Sequence, residues 1–459
     1  MAGEASHLGT GRTGGREAST GVIPGRYALS VGLPDEVAPH GWRWTPLRDV
    51  AQLESGHTPS RKHPEYWDGS VPWIGIKDAT ANHGRIIHDT MQHVTDAGLA
   101  NSSARLLPAN TVCLSRTASV GYVVVMGRPM ATSQDFVNWV CGPSIDHQFL
   151  KYVLVAETEA LLRFASGTTH QTIYYPEAKA FHVCLPPIGE QKRIAHILGT
   201  LDDKIELNRR MNATLESISR AIFKSWFVDF DPVRQRAAGQ QPVGMDAQTA
   251  ALFPDSFEDS EIGAVPKGWR YGTLGDVVDV FDSTRIPLSG RDRDSRKGPY
   301  PYYGAASVMD YVDSYLFDGI YLLMGEDGSV VRDDGTPVLQ YVWGKFWVNN
   351  HAHVLRGRDG FSTEHLLLHL QSSNITAFVT GAVQPKLNQG NMNRMPVLLP
   401  AAVVCQAFSD EIQPLYAQFR ANAEQSRSLA ALRDTLLPKL LSGELRVSEA
   451  EQAVEEAIA

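Results

Sequence analysis

The segment Leu198-Gly-Thr-Leu-Asp-Asp-Lys-Ile-Glu-Leu-Asn-Arg-Arg-Met-Asn-Ala-Thr-Leu-Glu-Ser-Ile-Ser-Arg-Ala-Ile-Phe-Lys-Ser-Trp226 carries one apolar stripe, at Leu198, Leu201, Ile205, Leu215, Ile222 and Trp226, with Asn208 and Asn212 filling the intermediate seam positions. Spacings of three and four make it a long helix with a narrow, heptad-like contact seam. An uninterrupted helix from about Glu190 to Phe227 would extend on the order of 55 Å at ~1.5 Å per residue. A second stretch repeats the pattern with Phe408, Ile412, Leu415, Phe419, Leu429 and Leu436, and places Asn422 and Ser426 at the matching polar positions. Polar residues in an apolar seam give up stability and fix register or partner orientation. Each stripe needs a partner, and the economical one is the other helix. This predicts an antiparallel coiled coil within the chain, in preference to two helices each packed on its own domain.

Working outward, the flanking sequence is duplicated. Gly41-Trp42-Arg43 with Leu47, Asp49 and Val50 recurs 227 positions later as Gly268-Trp269-Arg270 with Leu274, Asp276 and Val277. A second block aligns at an offset of 214: Gly167 with Gly381, Pro186 with Pro400, Leu201 with Leu415, Asn208 with Asn422, Leu215 with Leu429. Such a long-period repeat reads as a tandem duplication whose second copy is shorter in its middle. Each copy runs from a Trp-led start through short β-rich runs, such as Tyr122-Val-Val-Val-Met126 and Tyr321-Leu-Leu-Met324, to its long helix. Turn signals at Asp68-Gly69, Asp318-Gly319 and Asp327-Gly328 separate strands.

The expected fold class is therefore α/β (α+β): two globular domains separated by two long antiparallel helices in a pseudo-twofold duplication. The expected boundaries are a disordered extension over 1–39, a first domain over 40–187, a first spacer helix over 188–236, and a linker over 237–265. A second domain over 266–400, a second spacer helix over 401–442 and an acidic tail over 443–459 complete the chain.

Composition narrows the class. With 459 residues, 43 % of them hydrophobic and 20 % charged, the chain has material for several cores. Four dispersed cysteines, Cys113, Cys141, Cys184 and Cys405, encode neither a disulfide framework nor a cysteine zinc site and fit a reducing cytoplasm. No secretion signal or membrane-spanning run is evident, so no membrane partner is expected. The net charge of −9 opposes DNA binding at first sight. Residues 237–268 and 443–459, however, each hold one basic against five acidic residues, while 42–185 holds twelve of each. The acidity belongs mainly to the linker and the tail.

Catalytic signatures are missing. There is no G-x-x-x-x-G-K-[ST] phosphate loop, and Leu185-Pro186-Pro187-Ile188 lacks the polar head and aromatic of an amino-methyltransferase loop. No G-x-S-x-G elbow or carboxylate–lysine nuclease cluster appears. His365 with His369, and His351 with His353, have metal-like spacing, but without the H-E-x-x-H glutamate they read as ordinary histidines and no metal site is assigned.

Several strings resemble the specificity subunit of type I restriction-modification enzymes. They are Ser55-Gly-His-Thr-Pro-Ser-Arg61, Glu65-Tyr-Trp-Asp-Gly69 with Val71-Pro-Trp-Ile74, Gly167-Thr-Thr-His-Gln-Thr-Ile173, Leu185-Pro-Pro-Ile-Gly-Glu-Gln-Lys-Arg-Ile-Ala195, Leu201-Asp-Asp-Lys-Ile205, Phe223-Lys-Ser-Trp-Phe-Val-Asp-Phe-Asp-Pro-Val233, and the Leu-Leu-Ser-Gly-Glu-Leu-Arg-Val run ending at Val447. The resemblance spans nearly all of 42–447. It departs at Pro400-Ala-Ala-Val-Val-Cys-Gln406, where the acidic residue usual at the helix start is absent, and in the leading extension.

The resemblance implies two target recognition domains, each reading one half of an asymmetric bipartite DNA site, with the helices setting the spacer. It implies two modification subunits bringing S-adenosylmethionine for adenine methylation. Two restriction subunits would use ATP and magnesium to cleave DNA. This chain would be non-catalytic and bind no cofactor itself. A coiled-coil assembly scaffold that reads no DNA is the competing interpretation.

Base readout calls for Arg, Lys, Asn or Gln, with hydroxyls and cations on phosphate. The candidates in the first domain are Arg61, Lys62, Arg116, Thr117, Ser119, Gln134, Thr168, His170 and Gln171. Those in the second are Arg285, Lys297, Asn349, Asn350, Gln384, Lys386, Asn388 and Asn391. For partner docking the resemblance points to Trp226, Phe227, Phe230, Leu440, Leu441 and Leu445.

Overall fold

A computed structural model describes residues 21–166, 171–260, 263–381 and 383–458. The chain divides into two compact units, one formed by residues 1–207 with 425–459 and the other by 208–424.

In the first unit a five-stranded sheet runs in the order Ala51–Ser55, Phe136–Cys141, Val112–Ser115, Val123–Met126, Ile86–Ile87. Its central strands are mostly apolar, interrupted by the buried Asn138 and Ser115, because both faces are covered. Val112, Leu114, Val123 and Val125 face a core shared with Phe149, Leu150 and Val153 of the helix His147–Ala156. The alternate residues Cys113, Val124, Met126 and Phe136 face a second cluster with Ile74, Ala79 and Met130. The strand Arg43–Pro46 pairs antiparallel with Phe181–Leu185, closing the domain on itself.

The second unit repeats this plan in a six-stranded sheet, in the order Val278–Val280, Ala352–Gly357, Phe317–Gly325, Leu339–Val348, Lys297–Tyr303, Val308–Val312. Arg270–Thr273 pairs with Pro396–Leu399, the counterpart of the closing pair in the first unit. The sheet registers carry the duplication into three dimensions. Ala51 opposes Cys141 in the first unit and Val278 opposes Gly357 in the second, so Ser55 and Asp282 occupy equivalent positions.

The long helices span Ile188–Phe227 and Ala402–Leu441, 40 residues each. Each unit contains an antiparallel section of the pair. In the first unit Ile194, Leu198 and Leu201 share a core with Leu429, Leu436 and Leu440. In the second, Asn208 Nδ2 donates to the Asn422 carbonyl at 3.3 Å, Asn212 Nδ2 to the Phe419 carbonyl at 3.1 Å, and Asn422 Nδ2 to Asn212 Oδ1 at 2.9 Å. The seam asparagines hydrogen-bond across the pair, as polar residues at such positions do when they fix register.

Two segments expected to be irregular are ordered, and the tail, expected as an acidic helical end or a frayed tail, takes the helical form. Within the supposed N-terminal extension, Ile23–Pro24 and Leu29–Val31 join the sheet of Phe181–Leu185. Their anchor is the buried Glu157 carboxylate, which accepts the backbone N–H groups of Arg26, Tyr27, Ala28 and Leu29. Residues 1–20 of that extension lie outside the described residues. The supposed linker forms a helix at Ala247–Ala250 and a hairpin, Phe257–Ser260 with Gly263–Pro266, anchored by fully buried Phe253. The acidic tail is a helix, Val447–Ile458, whose Val447, Ala450 and Val454 enter the first core while Glu451 pairs with Arg193 at 2.8 Å. In the first two, long-range contacts override a polar local composition.

Candidate nucleic-acid interface

Both units build the same loop frame. In the first, Ser166 and Thr172 exchange backbone hydrogen bonds of 3.0 Å, and the Ile173 amide donates to the Arg116 carbonyl at 2.8 Å. In the second, Thr380 and Lys386 exchange bonds of 2.8 and 2.7 Å, and the Leu387 amide donates to the Glu326 carbonyl at 2.9 Å. Each frame closes beside the end of a central strand, Val112–Ser115 or Phe317–Gly325. Gly381 turns at a φ of +87°, and a Cβ there would meet the Gln384 carbonyl oxygen at 2.3 Å. Gly56 is equally constrained, since a Cβ would lie 1.9 Å from the Ser133 carbonyl oxygen. That close approach seats the loop from His57 to Arg61 on the sheet edge.

Different side chains decorate the two frames. In the first domain the guanidinium of Arg61 lies 3.6 Å from the Trp67 ring centroid, and Nη2 donates to Gln92 Oε1 at 2.8 Å. Thr58 donates to the exposed Gln134 side chain, and Arg116 Nε donates to the Gln134 carbonyl at 3.1 Å while its guanidinium lies 4.9 Å from the Tyr175 ring. The Thr117 and Thr172 hydroxyls are 2.7 Å apart. Ser119 is half-buried, and its carbonyl accepts from Ser115 Oγ. Lys62 and Gln171 are exposed, with no side-chain partner among the described residues. Thr168 and His170 lie outside the described residues. The structure thus brings Arg61, Arg116, Thr117 and Gln134 into one connected patch. Trp67, Gln92 and Tyr175 hold its arginines; Trp67 stands in one of the strings that carry the family resemblance, whereas Gln92 and Tyr175 were not among the sequence candidates.

In the second domain the candidates divide. Gln384 and Lys386 share Asp327, at 2.8 Å to Oδ1 and 3.6 Å to Oδ2. Asn388 caps the helix Gln389–Asn393 by accepting the Asn391 amide, and Asn391 Nδ2 donates to the Phe378 carbonyl. Asn350 is exposed. Lys297 has an exposed side chain but is committed to Asp310 at 2.8 Å, a hydrogen bond that raises its pKa.

Two candidates are corrected by burial. Asn349 is 4 % exposed, its Nδ2 against Met309 Sδ and its Oδ1 accepting the His351 amide. The side chain of Arg285 is 11 % exposed and is satisfied by Glu326, the Ala352 carbonyl and the Asp282 carbonyl. Neither reaches a base in this arrangement.

Asp282, Glu326 and His353 have ligand atoms within 4.8 Å of one another. Arg285 places its own positive charge among them, at 2.5 Å from Glu326 and 3.5 Å from Asp282, which opposes a bound cation and makes the group an ion-pair network. His365 is a core residue stacked against Phe361 and Phe227, and burial depresses its pKa to about 3.

The six docking candidates pack within the two units. Trp226, Phe227 and Phe230 are under 10 % exposed, in a cluster with Phe253, Trp269 and Phe408. Leu440 and Leu441 are buried, and half-buried Leu445 packs on the same first core. Large aromatics beside a helix seam filled the interior because they bury the most area. Beyond its first residue, Ile188, the large apolar side chains that the first long helix leaves exposed are Leu207, Met211 and Ile218. Their position off the heptad stripe was the available signal.

The model of the type I restriction modification DNA specificity domain matches this chain twice, over 39–217 and 266–425. The chain belongs to this family, the non-catalytic specificity subunits of type I restriction-modification systems. Among relatives, it is 27 % identical to the MjaIX type I restriction enzyme specificity subunit of Methanocaldococcus jannaschii, over 90 % of this chain and 95 % of that one. It is 23 % identical to the EcoprrI specificity subunit of Escherichia coli, over 78 % and 83 % of the two chains. Its fold is similar to the crystal structure of the type I restriction-modification S subunit from M. genitalium, at a TM-score of 0.52 and 17 % identity, covering 87 % of this chain and 96 % of that one. No helix among the described residues is long and apolar enough to cross a membrane.

Proposed function

We propose that each recognition domain of this chain reads one half of an asymmetric bipartite DNA site and that the paired helices set the spacer between halves. The observation that carries this reading is the twice-built loop frame with different side chains on each copy: one fold presenting two chemistries suits a site with two unlike halves. In the first domain the readers are Arg61, Arg116, Thr117 and Gln134, with Lys62, Ser119, Thr168, His170 and Gln171 as further candidates. In the second they are Gln384, Lys386, Asn388 and Asn391, with Asn350 and Lys297 at the margin.

Two methyltransferase subunits dock on the helices and supply S-adenosylmethionine for adenine methylation. Two restriction subunits bring ATP- and magnesium-dependent cleavage. The exposed Met211 and Ile218 support docking along the first helix.

Single-molecule methylation sequencing tests the reading, in cells expressing this chain with its neighbouring methyltransferase and in cells without the chain. A two-part motif methylated only when the chain is present is the expected result. Partner assembly with no sequence preference would instead favour an assembly scaffold.

A further inference from the structure

The duplication allows the two loop frames to be compared position by position, and four equivalent places differ in kind. Where the first domain has Ser55, Thr58, Arg116 and Val137, the second has Asp282, Arg285, Glu326 and His353. The equivalence of Val137 and His353 follows from register: Val137 opposes Leu114 as His353 opposes Met324, each one residue before the end of its central strand. A single uncharged-to-charged exchange would be unremarkable. Three such exchanges converge on one buried point, and Arg116 to Glu326 inverts the charge at the fourth.

His353 is fully buried, with both ring nitrogens engaged. Nδ1 is 2.6 Å from Asp282 Oδ2 and Nε2 is 2.7 Å from the Leu387 carbonyl oxygen. Both partners are acceptors, so only the doubly protonated imidazolium donates to both. Burial works against that charge, but the hydrogen bond and charge of Asp282, the Leu387 carbonyl and the charge of Glu326 outweigh it and raise the pKa. Arg285 balances the second carboxylate, and Asp282 Oδ1 also accepts the Val354 amide at 3.0 Å. Leu387 closes the recognition loop: its amide bonds Glu326, its carbonyl bonds His353, and its side chain is fully buried.

We infer that His353 is a positioning residue for DNA readout by the second domain, its imidazolium pinning the 380–388 loop at Leu387 so that Gln384 and Lys386 are presented in fixed geometry. Loss of the proton turns an Nε2 lone pair toward the Leu387 carbonyl and releases the pin. The first domain has Val137 in this place and no such dependence. The inference rests on the bipartite reading proposed above.

Three further polar groups stand at the loop and form their own set: Asp327 holds Lys386 at 3.6 Å and His351 Nδ1 at 3.6 Å. His351 therefore needs its own control.

The test uses the assembled complex and duplexes carrying the motif found by methylation sequencing, with single base changes in one half or the other. Discrimination is measured by competition binding from about pH 6 to about pH 9, spanning the titration range of a raised imidazole. In the wild type, discrimination in one half falls about tenfold as pH rises, the scale of losing a charged hydrogen bond, while the other half is unmoved. His353→Gln, whose amide donates to the carbonyl at every pH, makes the responsive half flat. His351→Gln keeps the wild-type profile.

Equal shifts in both halves, no shift in either, or a wild-type profile in His353→Gln would overturn the inference. Should that variant fail to assemble, Asp282→Asn removes the charge favouring the imidazolium, and the pH profile moves to lower pH; an unmoved profile counts against the pin. If the wild type discriminates in neither half at any pH, it is the bipartite reading that fails.

Discussion

Arg61 lies over Trp67, its guanidinium carbon 3.6 Å from the ring centroid, while its Nη2 reaches Gln92 Oε1 at 2.8 Å. Ring and amide together restrain an exposed guanidinium that keeps further N–H groups to donate. A planar fork held in advance is suited to bidentate contact with guanine or phosphate. Arg61→Ala should weaken specific DNA binding by the assembled complex about tenfold, within the range of one bidentate contact. Arg61→Lys should recover little of it, because an ammonium retains charge without the stacked fork. Affinities at two salt concentrations check this: a base contact leaves the salt slope unchanged, whereas a phosphate contact lowers it by about one.

Glu157 accepts four successive backbone amides from residues 26–29 at 2.6 to 3.3 Å and is buried. For residues 26–28, which belong to no strand or helix, it takes the place of secondary structure. Glu157→Ala strands those donors and should destabilise the first unit by about 3 kcal/mol. Urea unfolding followed by fluorescence would show the shift, and limited proteolysis should open new cleavage sites around residues 24–32.

How much of this was legible in the sequence depends on the range of the interactions. The helices were read correctly because heptad periodicity is local: the expected start at about Glu190 lies two residues from the observed Ile188. The duplication was legible because Trp42 and Trp269 head equivalent strands. The order of residues 21–39 was not, since it depends on Glu157, which lies over 120 residues away. Arg285 resembled a base reader for the same reason. Its carboxylate partner Glu326 and the Ala352 carbonyl are brought in only by the folded sheet. The 227-residue offset does align Asp282 with Ser55, so the substitution itself was visible, though its burial was not.

The Asn212 and Asn422 side chains form a direct hydrogen bond of 2.9 Å across the helix pair. Removing Asn422 alone leaves Asn212 Oδ1 without that donor in a half-buried seam, whereas removing both takes away donor and acceptor together. Asn422→Leu alone should cost about 2 kcal/mol, and the Asn212→Leu, Asn422→Leu double variant should cost less than the sum of the singles by about 1 kcal/mol. A double-mutant cycle from denaturant midpoints measures that coupling, and strict additivity would show that the pair does not act as a unit.

His365 gives the second unit an acid-sensitive core. The ring is stacked at 4.3 Å on Phe361 and 4.8 Å on Phe227, and burial, then the charge of His369, lower its pKa to about 3. An unfolded chain binds this proton near pH 6.5, so between there and about pH 3 the unfolded state carries more protons than the folded one. Stability from this group is complete above the unfolded pKa and falls as the pH drops, by about 2 kcal/mol at pH 5. The sign is opposite for His353, whose raised pKa makes its contribution full at low pH and lost as the pH rises through the folded value. His365→Leu removes the titrating group and keeps an apolar side chain in the aromatic cluster. Its stability should therefore decline less between pH 7 and pH 5 than that of the wild type, by about 2 kcal/mol. Urea midpoints at the two pH values decide it: parallel declines in both proteins would place the acid sensitivity elsewhere.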